Sequence, residues 1–234
     1  MKLEFPSIKN IIAVVSGKGG VGKSTIAFTL ANLLVKDGLK VGLLDGDIYG
    51  PSVPKLMGIE DKPKIQDKKF VPLEKDGLKA MSMGFLLEKT NPVVWRGPMV
   101  QTAVKQLFQD VAWGDLDWLV VDMPPGTGDA HLTLAQSIPL MGVIVITTPQ
   151  ELAAQDAAKC LEMYRMLKIP ILGVVDNMKG VACPCCQENF EIFPGRGGED
   201  LAEHFQVPYL GAVPLDPGMG AVEKIKNHLF GYKT

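Results

Sequence analysis

This sequence is short of several things, and each shortage excludes a class of protein. No apolar run approaches the roughly 18–20 residues needed to span a bilayer, so no membrane span is expected. The N-terminus, MKLEFPSIKN, lacks the charged start and apolar core of a secretory signal. The formal net charge is only −2, from 24 basic against 26 acidic residues, so no global positive field gathers nucleic acid. There is no internal repeat and no low-complexity linker, and a single domain over residues 1–234 is expected. These absences point to a cytoplasmic, reducing compartment. Cysteine is also scarce there: the chain has four. In such a compartment cysteines rarely form disulfides. Cys160 stands alone, while Cys183, Cys185 and Cys186 crowd into the tetrapeptide CPCC, two of them adjacent, which is a poor pattern for structural staples.

What is present is a globular composition, 47% hydrophobic and 21% charged, enough to build a full core. Short apolar, β-branched runs recur at residues 11–16, 40–45, 118–123, 142–148 and 171–177. They are continuously apolar and end in polar or glycine-rich turns, as strands buried on both faces of a parallel sheet do. Helical patterns alternate with them. Residues 23–38 place Ile26, Leu30, Leu33 and Leu34 on one face and stop at Gly38. Residues 151–168 follow Pro149 and run from acid to base, as the helix dipole prefers. Residues 98–111 read as a further helix. The alternation predicts the α/β class, a mostly parallel β-sheet flanked by helices. The charged stretch 60–76 is expected to be a surface loop or a short hairpin.

The first predicted strand runs into GKGGVGKST, residues 17–25, and then into a helix. This matches the phosphate-loop pattern G-x-x-x-x-G-K-[ST] in its confirming strand–loop–helix context. Gly17, Gly19, Gly20 and Gly22 let the backbone fold tightly, so that its N–H groups point inward at phosphate. The helix start adds its positive end. Lys23 neutralises the β- and γ-phosphates of ATP. Ser24 is the motif residue for Mg²⁺, with Thr25 beside it. Gly17, Lys18, Gly19, Gly20, Val21, Gly22, Lys23, Ser24 and Thr25 are therefore the expected nucleotide-binding set. An apolar strand ending in aspartate, WLVVD, makes Asp122 the carboxylate that orients Mg²⁺. The turn that follows, from Pro124 to Asp129, is expected beside the γ-phosphate.

Lys18 is not required by the ordinary motif. KGGxGK resembles the deviant Walker A loop of the MinD/ParA/nitrogenase-iron-protein class. The resemblance implies that Lys18 reaches a partner's nucleotide and that ATP closes a homodimer. Asp47 lies where this class carries its first switch loop, which makes it the candidate to orient the attacking water. Asp45, nearer the strand end, reads either as an indirect Mg²⁺ partner or as the cap of a turn or helix. Asn177 falls where the class reads the adenine edge, and an asparagine amide can match both donor and acceptor there.

Longer motifs follow in order: DGDIYGPSVP, VVWRGPMV, WGDLDWLVVDMPPGTGD, TTPQELA, VDNMKGVACPCC and GAVPLDP. Together they resemble the Mrp/ApbC family of iron–sulfur carrier ATPases over most of the chain. The family's C-P-x-C pair falls on Cys183 and Cys186, within a cluster-binding segment at about residues 178–198. The intervening residue is itself a cysteine, Cys185, which departs from the usual pattern. Cys160, on an amphipathic helix, reads as a small buried hydrophobe. Some family members carry an N-terminal domain or extension, which is not expected in this chain, and its tail is expected to hold one short helix.

Iron–sulfur clusters and structural zinc commonly ask for four protein ligands. CPCC cannot supply four around one site, and His204 and His228 lack zinc-finger spacing. A second chain related by a two-fold axis completes the set, two thiolates from each. The resemblance implies a 4Fe-4S cluster bridging the dimer, exposed and easily passed to apo-proteins. Zn²⁺ in the same cysteine site and a C-x-x-C redox pair are the competing chemistries. A MinD/ParA-type positioning ATPase competes with the carrier at the level of function, as does a chaperone for another metal such as zinc.

Overall fold

The computed structural model describes residues 5–86, 106–183, 185–186, 188–215 and 219–231. The apolar run at 11–15 is buried along its whole length. It forms the middle of β1 (Ile8–Ser16), near the centre of an eight-stranded sheet. On one side of β1 lie β7 (Leu116–Asp122), β2 (Val41–Asp45), β6 (Leu78–Ser82) and β5 (Leu73–Lys75). On the other lie β8 (Gly142–Thr147), β9 (Ile171–Asn177) and β12 (Tyr209–Val213). Neighbouring strands are parallel, except that β5 is antiparallel to β6. The predicted mostly parallel α/β architecture is present. All five predicted strands are there, and β5, β6 and β12 were not anticipated.

Period-two alternation divides the core between the two faces of the sheet. Ala13 and Val15 of β1, with Val121 and Val145, pack against α3 (Asp129–Ser137), α4 (Glu151–Met166) and α5 (Gly197–Phe205) through Leu134, Leu161 and Phe205. Ile12 and Val14, with Val120 and Ile144, pack against α1 (Lys23–Lys36) and α6 (Met219–Phe230) through Ile26, Leu30 and Ile225. The short α2 (Val53–Met57) covers the β6 side. Cys160 is fully buried in α4, as expected of a small hydrophobe, and burial pushes its thiol up to about 12.

Residues 60–76 contain a two-residue hairpin, β3 (Ile65–Gln66) and β4 (Lys69–Phe70). Asp67 and Lys68 turn it with left-handed backbones, the geometry that matches the strand twist. Of the helix predicted over 98–111, residues 106–109 are helical, and 98–105 lie outside the described residues. The tail forms α6, which is docked: Val222 and Ile225 are buried, and Lys226 pairs with Asp37 beyond the end of α1 at 2.7 Å. Among the described residues no helix is long and apolar enough to cross a membrane.

The parallel register gathers polar strand ends along one edge of the sheet. Asp45 of β2 lies opposite Asp122 of β7, and Asp176 of β9 lies opposite Thr147 of β8. The strand order reverses around β1, and open α/β sheets bind ligands in the crevice at such a point.

Candidate functional site

The phosphate loop leaves β1 at this crevice and enters α1. Gly22 precedes the helix with a left-handed backbone (φ 82°), and no side chain caps the first turn. The first-turn N–H groups therefore remain free of side-chain partners, which is the condition for anion binding at a helix start. Ser16 donates its hydroxyl to the Lys18 carbonyl at 2.9 Å, bracing the loop. Val21 is buried, Lys18, Gly22 and Ser24 are half-buried, and Gly19, Gly20 and Thr25 are exposed. Gly17 has no room for a side chain. A Cβ there would penetrate the backbone of Asp156 and Ala157 on α4. Gly17→Ala is expected to lower stability by about 1–3 kcal/mol through overpacking and to weaken nucleotide binding. Gly19→Ala, whose Cβ would meet nothing within 4 Å, should leave stability unchanged. Urea unfolding of the two variants side by side checks this.

Lys23 is buried and forms an ion pair with Asp122, which is itself fully buried. Its ammonium also lies 3.4 Å from the Ser24 hydroxyl. Burial raises the Asp122 carboxyl above its ordinary range, while Lys23 and Ser24 pull the other way. One Asp122 oxygen, Oδ2, is buried with no hydrogen-bond partner. The fold brings Lys23, Ser24 and Asp122 together.

Asp47 is half-buried, and its charge acts on Asp122. Its Oδ1 accepts from the Gly50 N–H at 3.1 Å, which curls the loop after β2. Asp45 resolves in favour of the cap. It accepts from the N–H groups of Asp47, Ser52 and Val53 and from the Ser82 hydroxyl, at 2.9–3.1 Å. It thereby fixes the start of α2 and the end of β6. Burial first, and then the Asp122 charge, push its carboxyl up to about 7 despite these donors.

His131 lies in α3, just beyond the turn that follows Asp122. It is only 1% exposed. Its Nδ1 lies 2.7 Å from the Pro124 carbonyl and its Nε2 lies 2.7 Å from the Tyr164 hydroxyl. Burial lowers its pKa from 6.5 to about 4. The folded state therefore favours the neutral ring, so this stabilisation is complete above the unfolded value and is lost as pH falls toward the folded one. By pH 5 the loss from this group is about 2 kcal/mol. Urea unfolding at pH 7 and pH 5 should show a smaller acid loss for His131→Gln than for wild type, by about that amount.

Asn177, at the end of β9, reaches back to the phosphate loop. Its Nδ2 donates to the Val21 carbonyl at 2.7 Å. It also lines a cavity of about 160 Å³ beside α1, with Thr25, Thr29, Met178, Pro214 and Leu215.

The cysteines stand beyond β9 in a separate small hairpin, β10 (Val181–Ala182) and β11 (Asn189–Phe190). All are free thiols; Cys185 and Cys186 are exposed and Cys183 is half-buried. The Cys183 N–H donates to the Glu188 carbonyl at 2.9 Å, closing the turn. The Cys183 thiol is held below its ordinary range by the backbone N–H of Cys186 first and that of Cys185 second. Such donors favour thiolate, the form that binds metal. Among the described residues no group of three or more His, Cys, Asp or Glu side chains converges on a metal-sized site. Exposed Phe190 and Ile192 flank the turn. The hairpin's root is tied to the cavity wall: Lys179 N–H donates to the Val213 carbonyl at 3.0 Å and Leu215 N–H to the Gly180 carbonyl at 2.9 Å.

Residues 7–231 match the family model described as NUBPL iron-transfer P-loop NTPase. The chain is 53% identical over 212 residues to an iron–sulfur cluster carrier protein of Pseudomonas fragi, covering 89% of this chain and 74% of that relative. It is similar, with TM-score 0.79 and 36% identity, to a nucleotide-binding protein from Archaeoglobus fulgidus in complex with ADP, covering 97% of this chain and 90% of that one. The cell division ATPase MinD of Pyrococcus furiosus shares the fold at TM-score 0.68 but only 19% identity, over 96% of this chain and 99% of that one.

Proposed function

Because this chain belongs to the NUBPL iron-transfer P-loop NTPase family, we propose that it is an ATP-hydrolysing iron–sulfur cluster carrier that holds its cargo between two copies of itself. The observation that carries the reading is the cysteine turn. Backbone N–H groups hold the Cys183 thiol below its ordinary range, which favours the metal-binding thiolate, on a turn whose Cys185 and Cys186 are exposed, as a cargo site needs. A 4Fe-4S cluster commonly takes four protein ligands. Cys183 and Cys186 from each of two chains supply them, and Cys185 is a bystander or a spare ligand during hand-over. The acceptors are apo iron–sulfur proteins, met in the cytoplasm, where the thiols stay reduced.

The nucleotide would lie across the phosphate loop with its base in the cavity by Asn177. Lys23 holds the β- and γ-phosphates, and Lys18 serves the partner's nucleotide. Asp47 orients the attacking water. The unpartnered Asp122 Oδ2, with the Ser24 hydroxyl nearby, suits Mg²⁺, which would supply positive charge to the phosphates. The base cavity and the cysteine hairpin share a root at residues 177–180 and 213–215, so nucleotide occupancy bears directly on the cargo site. The likeness to MinD extends to the fold alone at its level of identity, and a positioning role gains no support from it. Anaerobic reconstitution followed by transfer to an apo acceptor tests the reading. Wild type should deliver a cluster, and the Cys183→Ala, Cys186→Ala double variant should not. Equal delivery by both would sink it, and zinc without iron and sulfide in the anaerobically isolated protein would favour a zinc chaperone.

A further inference from the structure

A buried hydrogen-bond chain joins the turn after Asp122 to helix α4. Pro124 and Pro125 carry no N–H, so this turn is short of donors for its own carbonyls. A buried carbonyl needs a donor from elsewhere. His131 provides one to Pro124, with its other nitrogen at the Tyr164 hydroxyl, both at 2.7 Å. A carbonyl oxygen only accepts, so the proton sits on Nδ1. Nε2 is then bare and accepts from the Tyr164 hydroxyl. The chain has one direction: tyrosine to imidazole to carbonyl. Its side chains are buried, Tyr164 completely.

The elements at both ends of this chain border the phosphate loop. On one side, the N–H of Gly126, two residues past Pro124, donates at 2.9 Å to the carbonyl of Ser16, the last residue of β1 before the loop. On the other, the α4 backbone at Asp156 and Ala157 abuts Gly17. Helix α4 also begins just after Pro149, whose carbonyl packs on Gly195 and Gly197, where the cysteine segment returns to α5.

We propose that His131, held by Tyr164, is a positioning residue that sets residues 123–128 against the phosphate loop and passes their position to α4 and the return of the cysteine segment. This rests on residues 17–25 being the nucleotide site. The distant hydroxyl of Tyr164 thereby governs turnover without touching nucleotide.

Tyr164→Phe removes one hydroxyl and keeps the ring. Its ATPase kcat should fall about tenfold while KM for ATP stays within about twofold. Hydrogen exchange should show ATP protecting residues 17–25 in both proteins, but altering residues 194–198 only in wild type. His131→Gln, whose amide can both donate and accept, should retain more of kcat than His131→Leu. The inference is overturned by wild-type kcat and wild-type exchange at 194–198 in Tyr164→Phe, or by a loss carried in KM alone. If ATP fails to protect residues 17–25 even in wild type, the nucleotide reading itself fails and this inference falls with it.

Discussion

Lys23→Ala should lower ATP turnover by roughly 10³-fold, the scale on which removing a preorganised charge from a phosphoryl-transfer site acts. Two losses combine. The substrate phosphates lose the cation that neutralises them. Asp122 loses its ion-pair partner in a place where burial already raises its pKa. Without Lys23 the carboxyl gains a proton more readily and becomes a poorer Mg²⁺ ligand. Lys23→Arg should not rescue, because a planar guanidinium does not fit where a compact ammonium is buried. Steady-state hydrolysis and fluorescent-nucleotide titration check the pair. Activity within tenfold of wild type in Lys23→Ala would contradict the assignment.

Cys183→Ser and Cys186→Ser should each cut bound iron and sulfide by at least about tenfold after anaerobic reconstitution, because a hydroxyl replaces a soft thiolate that iron–sulfur clusters require. Cys185→Ser should stay within about twofold of wild type. The three thiols lie within four residues, so composition and local exposure barely distinguish them; the turn does. Cys183 receives the backbone donors and anchors the hairpin through its own N–H. Cys186 holds the spacing that lets two sulfurs point one way. Should Cys185→Ser lose as much cluster as Cys183→Ser, the ligand set is wrong.

Much of this was legible because burial imposes a pattern that a sequence must carry. The continuous apolar runs of β1, β2, β7, β8 and β9 are largely buried, and their short length and β-branched content fit strands covered on both faces. The phosphate loop is written in glycines whose absence of side chains the packing requires, as at Gly17 against α4. β6 and β12 escaped because LKAMS holds no β-branched residue and YLGAV only one, at its end; they become strands through their neighbours. Asp45 was ambiguous because a strand-end aspartate serves a metal or a cap equally well in one dimension. Only the fold brings Ser52, Val53 and Ser82 onto it.

His131 could have been found. With Leu134, Ala135 and Ile138 it forms an i, i+3, i+4, i+7 stripe, and all four are buried. A histidine in an apolar stripe must find hydrogen-bond partners. What sequence could not supply was Tyr164, 33 residues away on another helix.

The central claim is that one cargo site is built from two chains. Native mass measurement of anaerobically reconstituted protein tests it most directly. Two chains carrying one 4Fe-4S cluster, falling to cluster-free chains in Cys183→Ser, is the predicted result. A single chain that retains a whole cluster through its own residues would contradict it.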